Sequence, residues 1–445
     1  MLGCLILPLI VTCRGPREGE SAAAQAGPPP NVVVVVVDVL RADRLGVNGY
    51  SLPTTPNIDG LARDGVSFSA AFANASWTKP ATATLLTSLM PSSHGALDVA
   101  DEAGTTGILD EELTTLAEIF SGAGYRTGAF IVQPHLKAKF GFAQGFDEFH
   151  RLRGKVGGRQ NKLLSEFVEA AGERPFLAYV HYIEVHWPYN KRLPGQEQTF
   201  GSTAIDPEPP ISQLGELSRW VEDHWSPRNR AALMARYDQG VAFADAVVGD
   251  LLERLRRAGR YQNTIIVVTS DHGEGFMEHG LVGHGLVPHD EQVHVPLVVK
   301  VPARFGVAPG ERRDSLVSLI DVGPTLLDLA GVETPPVFEG TSFRMVLEGV
   351  EDPTRQVHIQ TEHGSALRTR SHKLIVRSDG EIELYDLTAD RDEMVNLAVD
   401  VCDGVCSELR AQLPASTVPR GSTRGTWSAE DIEELVALGY LEEDS

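Results

Sequence analysis

Six consecutive valines, Val32 to Val37, stand between Asn31 and Asp38. An unbroken β-branched run with no polar alternation reads as a strand buried on both faces, and so as a central strand rather than an edge. A second such run, Thr264-Ile265-Ile266-Val267-Val268-Thr269, ends abruptly in Ser270-Asp271-His272-Gly273-Glu274. Shorter runs predict strands over 66–72, over 127–132 leading into Gln133-Pro134-His135, from 176 toward His181 and His186, and over 294–301. Helical periodicity alternates with them. It predicts helices over 58–63, from Pro80 onward through Leu85, Leu86 and Leu89, over 113–120, over 228–257 with Leu233, Tyr237, Val241, Ala244, Val248 and Leu252 on one face, and over 321–329. Residues 190–226 carry many Pro, Gly and Ser and read as a substrate-facing insertion or mobile loop. From about residue 350 the pattern changes to four short strands, 357–362, 366–370, 373–377 and 382–385, with closing helices at 406–413 and 429–438. The fold class is α/β, a large mixed sheet sandwiched by helices, with a small C-terminal antiparallel-sheet subdomain.

The first thirteen residues, Met1 to Cys13, are apolar but too short to span a bilayer, and they fit an export signal. Cys13 lies where a lipoprotein processing box would place its cysteine, although Thr12 is unusual before it. Residues 14–30 then read as a flexible tether, 31–349 as the catalytic domain and 350–445 as the small subdomain. An exported protein, periplasmic or on the cell surface and anchored to a membrane only through lipid on Cys13, is the expectation. Cys402 and Cys406 are spaced for a local disulfide in such a compartment.

Charge narrows the function classes. With 61 acidic against 39 basic residues the chain carries −22, which argues against general nucleic-acid binding. Arg151, Arg153, Lys155, Arg159 and Lys162 form a local basic exception, read either as a solvated face or as a cationic rim for an anion.

The chemistry gathers at strand ends, where open α/β sheets bind ligands. Asp38 and Asp271 close two buried runs, and two carboxylates at one sheet edge repel unless a cation or a proton holds them. With His272 beside them, a divalent metal accounts for the set. His181 and His186 fall at the same kind of edge. Thr78 stands at the start of the helix containing Pro80, among unsatisfied N–H groups. It reads either as a helix cap or as a hydroxyl placed for nucleophilic attack.

Together these residues resemble the sulfatase family of the alkaline-phosphatase-like superfamily, over nearly the whole chain from about residue 31. The resemblance rests on Asp38 with Arg41-Ala42-Asp43-Arg44-Leu45-Gly46, Thr55-Pro56-Asn57-Ile58-Asp59, Ser76-Trp77-Thr78-Lys79-Pro80, Gly145-Phe146-Asp147, Ser270-Asp271-His272-Gly273, Glu278-His279-Gly280 with Gly283-His284-Gly285, Val295-Pro296-Leu297 and Leu384-Tyr385-Asp386-Leu387. It implies one divalent ion, Ca²⁺, on Asp38, Asp271 and His272; the imidazole leaves Mn²⁺ and Zn²⁺ open. It implies that His186 and His284 contact the anionic group or protonate the leaving group, with His135 as a looser match. Gln133 falls where the family often has lysine. The departure is at the nucleophile, where sulfatases carry a Cys or Ser converted to formylglycine. Thr78 cannot be so converted, and Lys79 and Thr82 replace the usual neighbours. Relatives in the superfamily use threonine directly on phosphorus. The expectation is therefore a hydrolase of anionic esters with Thr78 as metal-ligated nucleophile, phosphorus esters being favoured. Lys79, His135 and His181 are expected to bind a substrate that is a small ester, a sulfated or phosphorylated glycan, or a lipid head group. The rival readings are sulfate-ester hydrolysis without formylglycine, and a non-catalytic protein that binds sulfated or phosphorylated glycans.

Overall fold

The computed structural model describes residues 27–97, 105–154, 157–195, 199–209, 214–285, 287–361, 363–398, 402–413 and 423–437. The expectations for the export signal, for Cys13 and for most of the tether lie outside these residues.

The valine run forms the strand Asn31–Val37, every residue of it buried. It lies inside an eight-stranded sheet whose order is Glu311–Arg313, Val66–Phe68, Leu297–Lys300, Thr264–Thr269, Asn31–Val37, Phe176–Tyr182, Arg126–Ile131 and Glu148–Arg151. The strands from Thr264–Thr269 to Glu148–Arg151 pair in parallel. Leu297–Lys300 runs antiparallel to the strands on both its sides, which makes the sheet mixed.

Alternate valines supply two different cores. Val33, Val35 and Val37 pack under the helices Pro56–Asp64, Gly157–Ala170 and Pro227–Arg257. Val32, Val34 and Val36 pack under Thr78–Thr87, Leu116–Gly122 and Val322–Ala330. At about 1.5–3 kcal/mol for each buried side chain, this strand alone contributes on the order of 10 kcal/mol of gross apolar burial. The long helix Pro227–Arg257 starts on Ser226, whose hydroxyl accepts from the Asn229 N–H, and carries Pro227 in its first turn.

The segment 190–226, read as an insertion or mobile loop, contains an unexpected helix: Leu214–His224, whose Leu217, Trp220 and Val221 bury against the main core. Three apolar residues at helical spacing outweighed the polar, Pro-rich composition around them. The last part of the chain forms a four-stranded antiparallel meander, Val357–Thr361, Gly364–Arg368, His372–Arg377 and Ile382–Asp386. Cys402 and Cys406 are disulfide-bonded beside it.

Strand register then sets the site. Val36 pairs with Thr269, so Asp38 and Asp271 each leave their strand two residues beyond an aligned pair. The turn after Asp38 is forced. Val39 adopts φ 56°, a left-handed conformation that costs a β-branched residue about 1–3 kcal/mol. Tyr237 pins it, its hydroxyl donating to the Val39 carbonyl at 2.6 Å and accepting from the Arg41 N–H at 2.9 Å. From the neighbouring turn, Ser270 Oγ accepts the Leu40 N–H at 2.9 Å.

Candidate active site

The two strand ends bring Asp38, Asp271 and His272 together, with one ligand atom from each lying within 4.8 Å of the others. All three are buried. His272 Nδ1 lies 3.0 Å from the Gly273 carbonyl, an acceptor only, so Nδ1 carries the hydrogen and Nε2 keeps its lone pair. That nitrogen lies 3.7 Å from Asp38 Oδ1 and 3.5 Å from Asp271 Oδ2. Asp271 Oδ2 is buried and accepts no hydrogen bond. Two carboxylate oxygens and one imidazole lone pair converging away from water fit a divalent cation.

Thr78 is the first residue of the helix Thr78–Thr87, and Trp77 is its cap residue, with no side-chain capping bond. The capping alternative for Thr78 therefore falls. Its Oγ1 faces the carboxylate cluster, 3.1 Å from His272 Nε2 and 3.3 Å from Gln133 Nε2. Gln133 also donates to Asp38 Oδ2 at 2.5 Å, and its own oxygen accepts the His135 N–H at 3.4 Å. The glutamine thus ties the hydroxyl to the carboxylate, a role its sequence position alone did not announce.

Two expected substrate contacts are placed differently. A helix turns about 100° per residue, so Lys79 points away from Thr78. Its ammonium is fully buried, donates to Thr106 Oγ1 at 2.7 Å, and lies over the rings of Phe140 and Trp427 at 4.7 and 5.0 Å. His181 joins the carboxylates, with Nε2 3.7 Å from Asp271 Oδ2 and 3.9 Å from Asp38 Oδ2. The Tyr179 hydroxyl lies 2.9 Å from its other nitrogen, and burial pushes its pKa down to about 4.

The remaining imidazoles complete the wall. His186 Nδ1 donates to the Trp187 carbonyl at 3.0 Å, and its ring meets that of His284 at 5.2 Å. The His284 ring lies 4.5 Å from that of His272. His284 Nδ1 sits 2.9 Å from Glu274 Oε1, a buried carboxyl that burial pushes up to about 8. Burial drives His284 the other way, well below the ordinary imidazole value. Burial thus disfavours charge on both groups, and the 2.9 Å contact places Glu274 Oε1 and His284 Nδ1 to exchange a proton. Glu274, three residues after Asp271, was passed over in the sequence because a carboxylate there has no periodic signature. Trp77 leans against His284 and His135 at 5.1 and 5.6 Å. Gly285 makes room for it: at φ 97°, a Cβ there would come within 2.3 Å of the indole.

Among the described residues His279, His289 and Glu291 form a second cluster with metal-ligand chemistry. The two rings stack at 3.8 Å with 7° between their planes. Lone pairs lie in the ring planes, so parallel stacked imidazoles cannot both aim at one ion. His279 instead donates from both nitrogens, to Glu291 Oε1 at 2.9 Å and to the Glu393 carbonyl at 3.0 Å. This cluster is an imidazolium clasp.

With the geometry in place, comparison with known proteins becomes informative. The sulfatase family model matches residues 30–332. The chain belongs to the sulfatase family. The model for the C-terminal part of N-sulphoglucosamine sulphohydrolase matches residues 277–417. An arylsulfatase from Clostridium perfringens is 25% identical over 440 residues, covering 83% of this chain and 90% of that protein. The delta 4,5-hexuronate-2-O-sulfatase of Bacteroides thetaiotaomicron is 25% identical over 421 residues, covering 85% and 86%. Among solved structures, the phosphonate monoester hydrolase of Agrobacterium radiobacter superposes with a TM-score of 0.66 at 23% identity, covering 83% of this chain and 92% of that one. This sulfatase-family chain is a hydrolase of ester bonds; the family generally binds a divalent metal ion, and Asp38, Asp271 and His272 form a group that could hold one.

Proposed function

We propose that the protein hydrolyses anionic esters with Thr78 as nucleophile, and that phosphate or phosphonate esters are preferred over sulfate esters. One observation carries the reading. The Thr78 hydroxyl is buried against the carboxylate cluster, bonded to His272 and Gln133 rather than to its own helix. A hydroxyl kept from capping and from water, at a helix N-terminus, is placed to attack an anion that the backbone amides welcome.

A divalent ion held by Asp38, Asp271 and His272 would supply Lewis-acid charge beside the ester. His186 and His135 orient the anionic group. Thr78 attacks as its alkoxide, the hydroxyl proton having passed to solvent, forming a bond from Oγ1 to phosphorus and breaking the bond from phosphorus to the leaving oxygen. That oxygen takes the Nε2 proton of His284, while Glu274 returns a proton to Nδ1. Water then gives a proton to His284 Nε2 as the Nδ1 proton returns to Glu274, its oxygen bonds to phosphorus, and the bond from phosphorus to Oγ1 breaks, which leaves the Thr78 alkoxide and the product anion. A sulfated threonine would lack the carbonyl-hydrate escape that formylglycine provides, which is why phosphorus is favoured. Sulfate esters remain the second reading, supported by the names of the curated relatives.

Matched aryl sulfate, phosphate monoester, phosphodiester and phosphonate substrates, assayed with Ca²⁺, Mn²⁺ and Zn²⁺ in turn, test the preference. Faster turnover of any phosphorus ester supports it; a large excess for aryl sulfate overturns it. We also propose export, for which the Cys402–Cys406 bond is support, since disulfides persist in oxidising compartments. Fractionation that leaves the protein in the cytoplasm would reject that proposal.

A further inference from the structure

Residues 423–437 lie beyond residue 417, where the family matches end, and pack beside the active site. Arg424–Thr426 pairs antiparallel with Thr105–Gly107, and Ser428 then opens the helix Ala429–Ala437. Trp427, between them, is half-buried and faces two parts of the site. Its ring meets His135 edge-to-face at 5.6 Å and 85°, and His135 also meets Trp77 at 5.6 Å and 72°. It also packs on Phe140 at 4.6 Å and covers the buried ammonium of Lys79, the residue following Thr78.

Ion pairs clasp the helix that follows. Lys137 Nζ reaches Asp431 at 2.5 Å and Glu434 at 3.1 Å, and Lys139 joins it on Asp431. Arg151 reaches Glu434 at 2.6 Å, and Arg153 pairs with Glu430. The basic residues that looked like a solvated face or an anion rim are thus partly spent on this segment. Lys137 and His135 stand two residues apart on one loop, so the clasp and the indole act on the same piece of backbone.

We propose that the C-terminal strap, residues 423–437, is a positioning element of the active site, with Trp427 setting the ring of His135 and bracing Lys79 behind Thr78. The inference rests on the reading of His135 as a residue that contacts the anion. It does not depend on whether that anion is a phosphate or a sulfate. The strap is held by ion pairs that run from buried, at Lys137 with Asp431 and Glu434, to exposed, at Arg153 with Glu430, so the Trp427 variants, which leave these pairs in place, separate the site's wall from the fold's stability.

The test uses the full chain and whichever ester the wild type cleaves fastest, so a wrong substrate preference leaves it intact. Trp427→Ala should lower kcat/KM at least tenfold, mostly through KM, with the melting temperature within a few degrees of wild type. Trp427→Phe should recover most of the loss. Asp431→Ala with Glu434→Ala should reproduce the defect, and adding Trp427→Ala to that pair should cost less than a further twofold, because both changes remove one device. If the wild type cleaves no ester, the same variants are compared by calorimetric titration with inorganic phosphate and with sulfate, and a tenfold weaker affinity is expected. Activity or affinity within twofold of wild type in Trp427→Ala would overturn the proposal. So would a loss shared equally by kcat and KM that tracks thermal unfolding, since the strap would then only stabilise.

Discussion

Thr78→Ala should reduce turnover by at least about three orders of magnitude, as removal of a nucleophile does, while shifting stability by no more than about 1 kcal/mol. Thr78→Ser should keep part of the activity. Steady-state kinetics beside a melting curve separates this from a structural role, which would show the reverse pattern. Glu274→Gln should slow the hydrolysis of esters with poor, alkyl-type leaving groups by about 10²-fold or more and spare activated aryl esters, since only the former need the proton that His284 delivers. Rates that fall equally for both would remove Glu274 from that step. Asp38, Asp271 and His272 were visible in the sequence because they close buried β-branched runs, and Thr78 because it opens the helix that carries Pro80. Gln133 and Glu274 were not, because their importance lies in a bond to one particular atom. Lys79 misled for a different reason: neighbours in a helix point about 100° apart, so the residue after Thr78 turns out of the site.

The junction between the small sheet and the loop after Asp271 should respond to pH in both directions. Burial alone would raise Glu383, but His289, Tyr385 and Arg377 hold it down at about 2. A depressed carboxylate stabilises above its unfolded value, so that contribution is lost as pH falls from about 4.5 toward 2. His279 goes the other way. Burial lowers it, and the pairing with Glu291 more than reverses this, raising it to about 9. A raised imidazole stabilises fully below its unfolded value near 6.5, and the contribution fades as pH rises through about 9. Unfolding followed across pH should therefore lose its alkaline limb in His279→Gln and its acid limb in Glu383→Gln; limbs unchanged in these variants would dismiss the clasp. At this scale the sequence served well. The buried runs and the 31-residue helix carried strong periodicity, and the four C-terminal strands appeared at nearly the expected places. Leu214–His224 was hidden because proline and serine around it diluted a short apolar stripe.

Across the whole molecule, the two halves of the sheet meet where Asp38 and Asp271 would share a cation, so metal binding should stabilise the entire fold. At a free-ion concentration of about 100 times Kd, the gain is about 2.7 kcal/mol. Chelation should lower the melting temperature of the wild type and leave Asp271→Asn, already low, unmoved; equal metal content in the two proteins would strike Asp271 from the ligand set. The overall architecture was legible because a sheet covered on both faces must be written in unbroken β-branched runs, while strand order was not, since no local pattern encodes which runs become neighbours. That order has a consequence for how the chain is made. Val32 to Val37 emerge from the ribosome long before their partners, which are Leu177 to Tyr182 on one side and Ile265 to Thr269 on the other. More than half of the protein must be synthesised before this strand is covered on both edges. Until then the six valines are an uncharged, proline-free segment of the kind that seeds cross-β association. Nascent chains stopped short of residue 264 should therefore stay bound to holdase chaperones or precipitate, whereas chains that include Thr264–Thr269 should become protease-resistant.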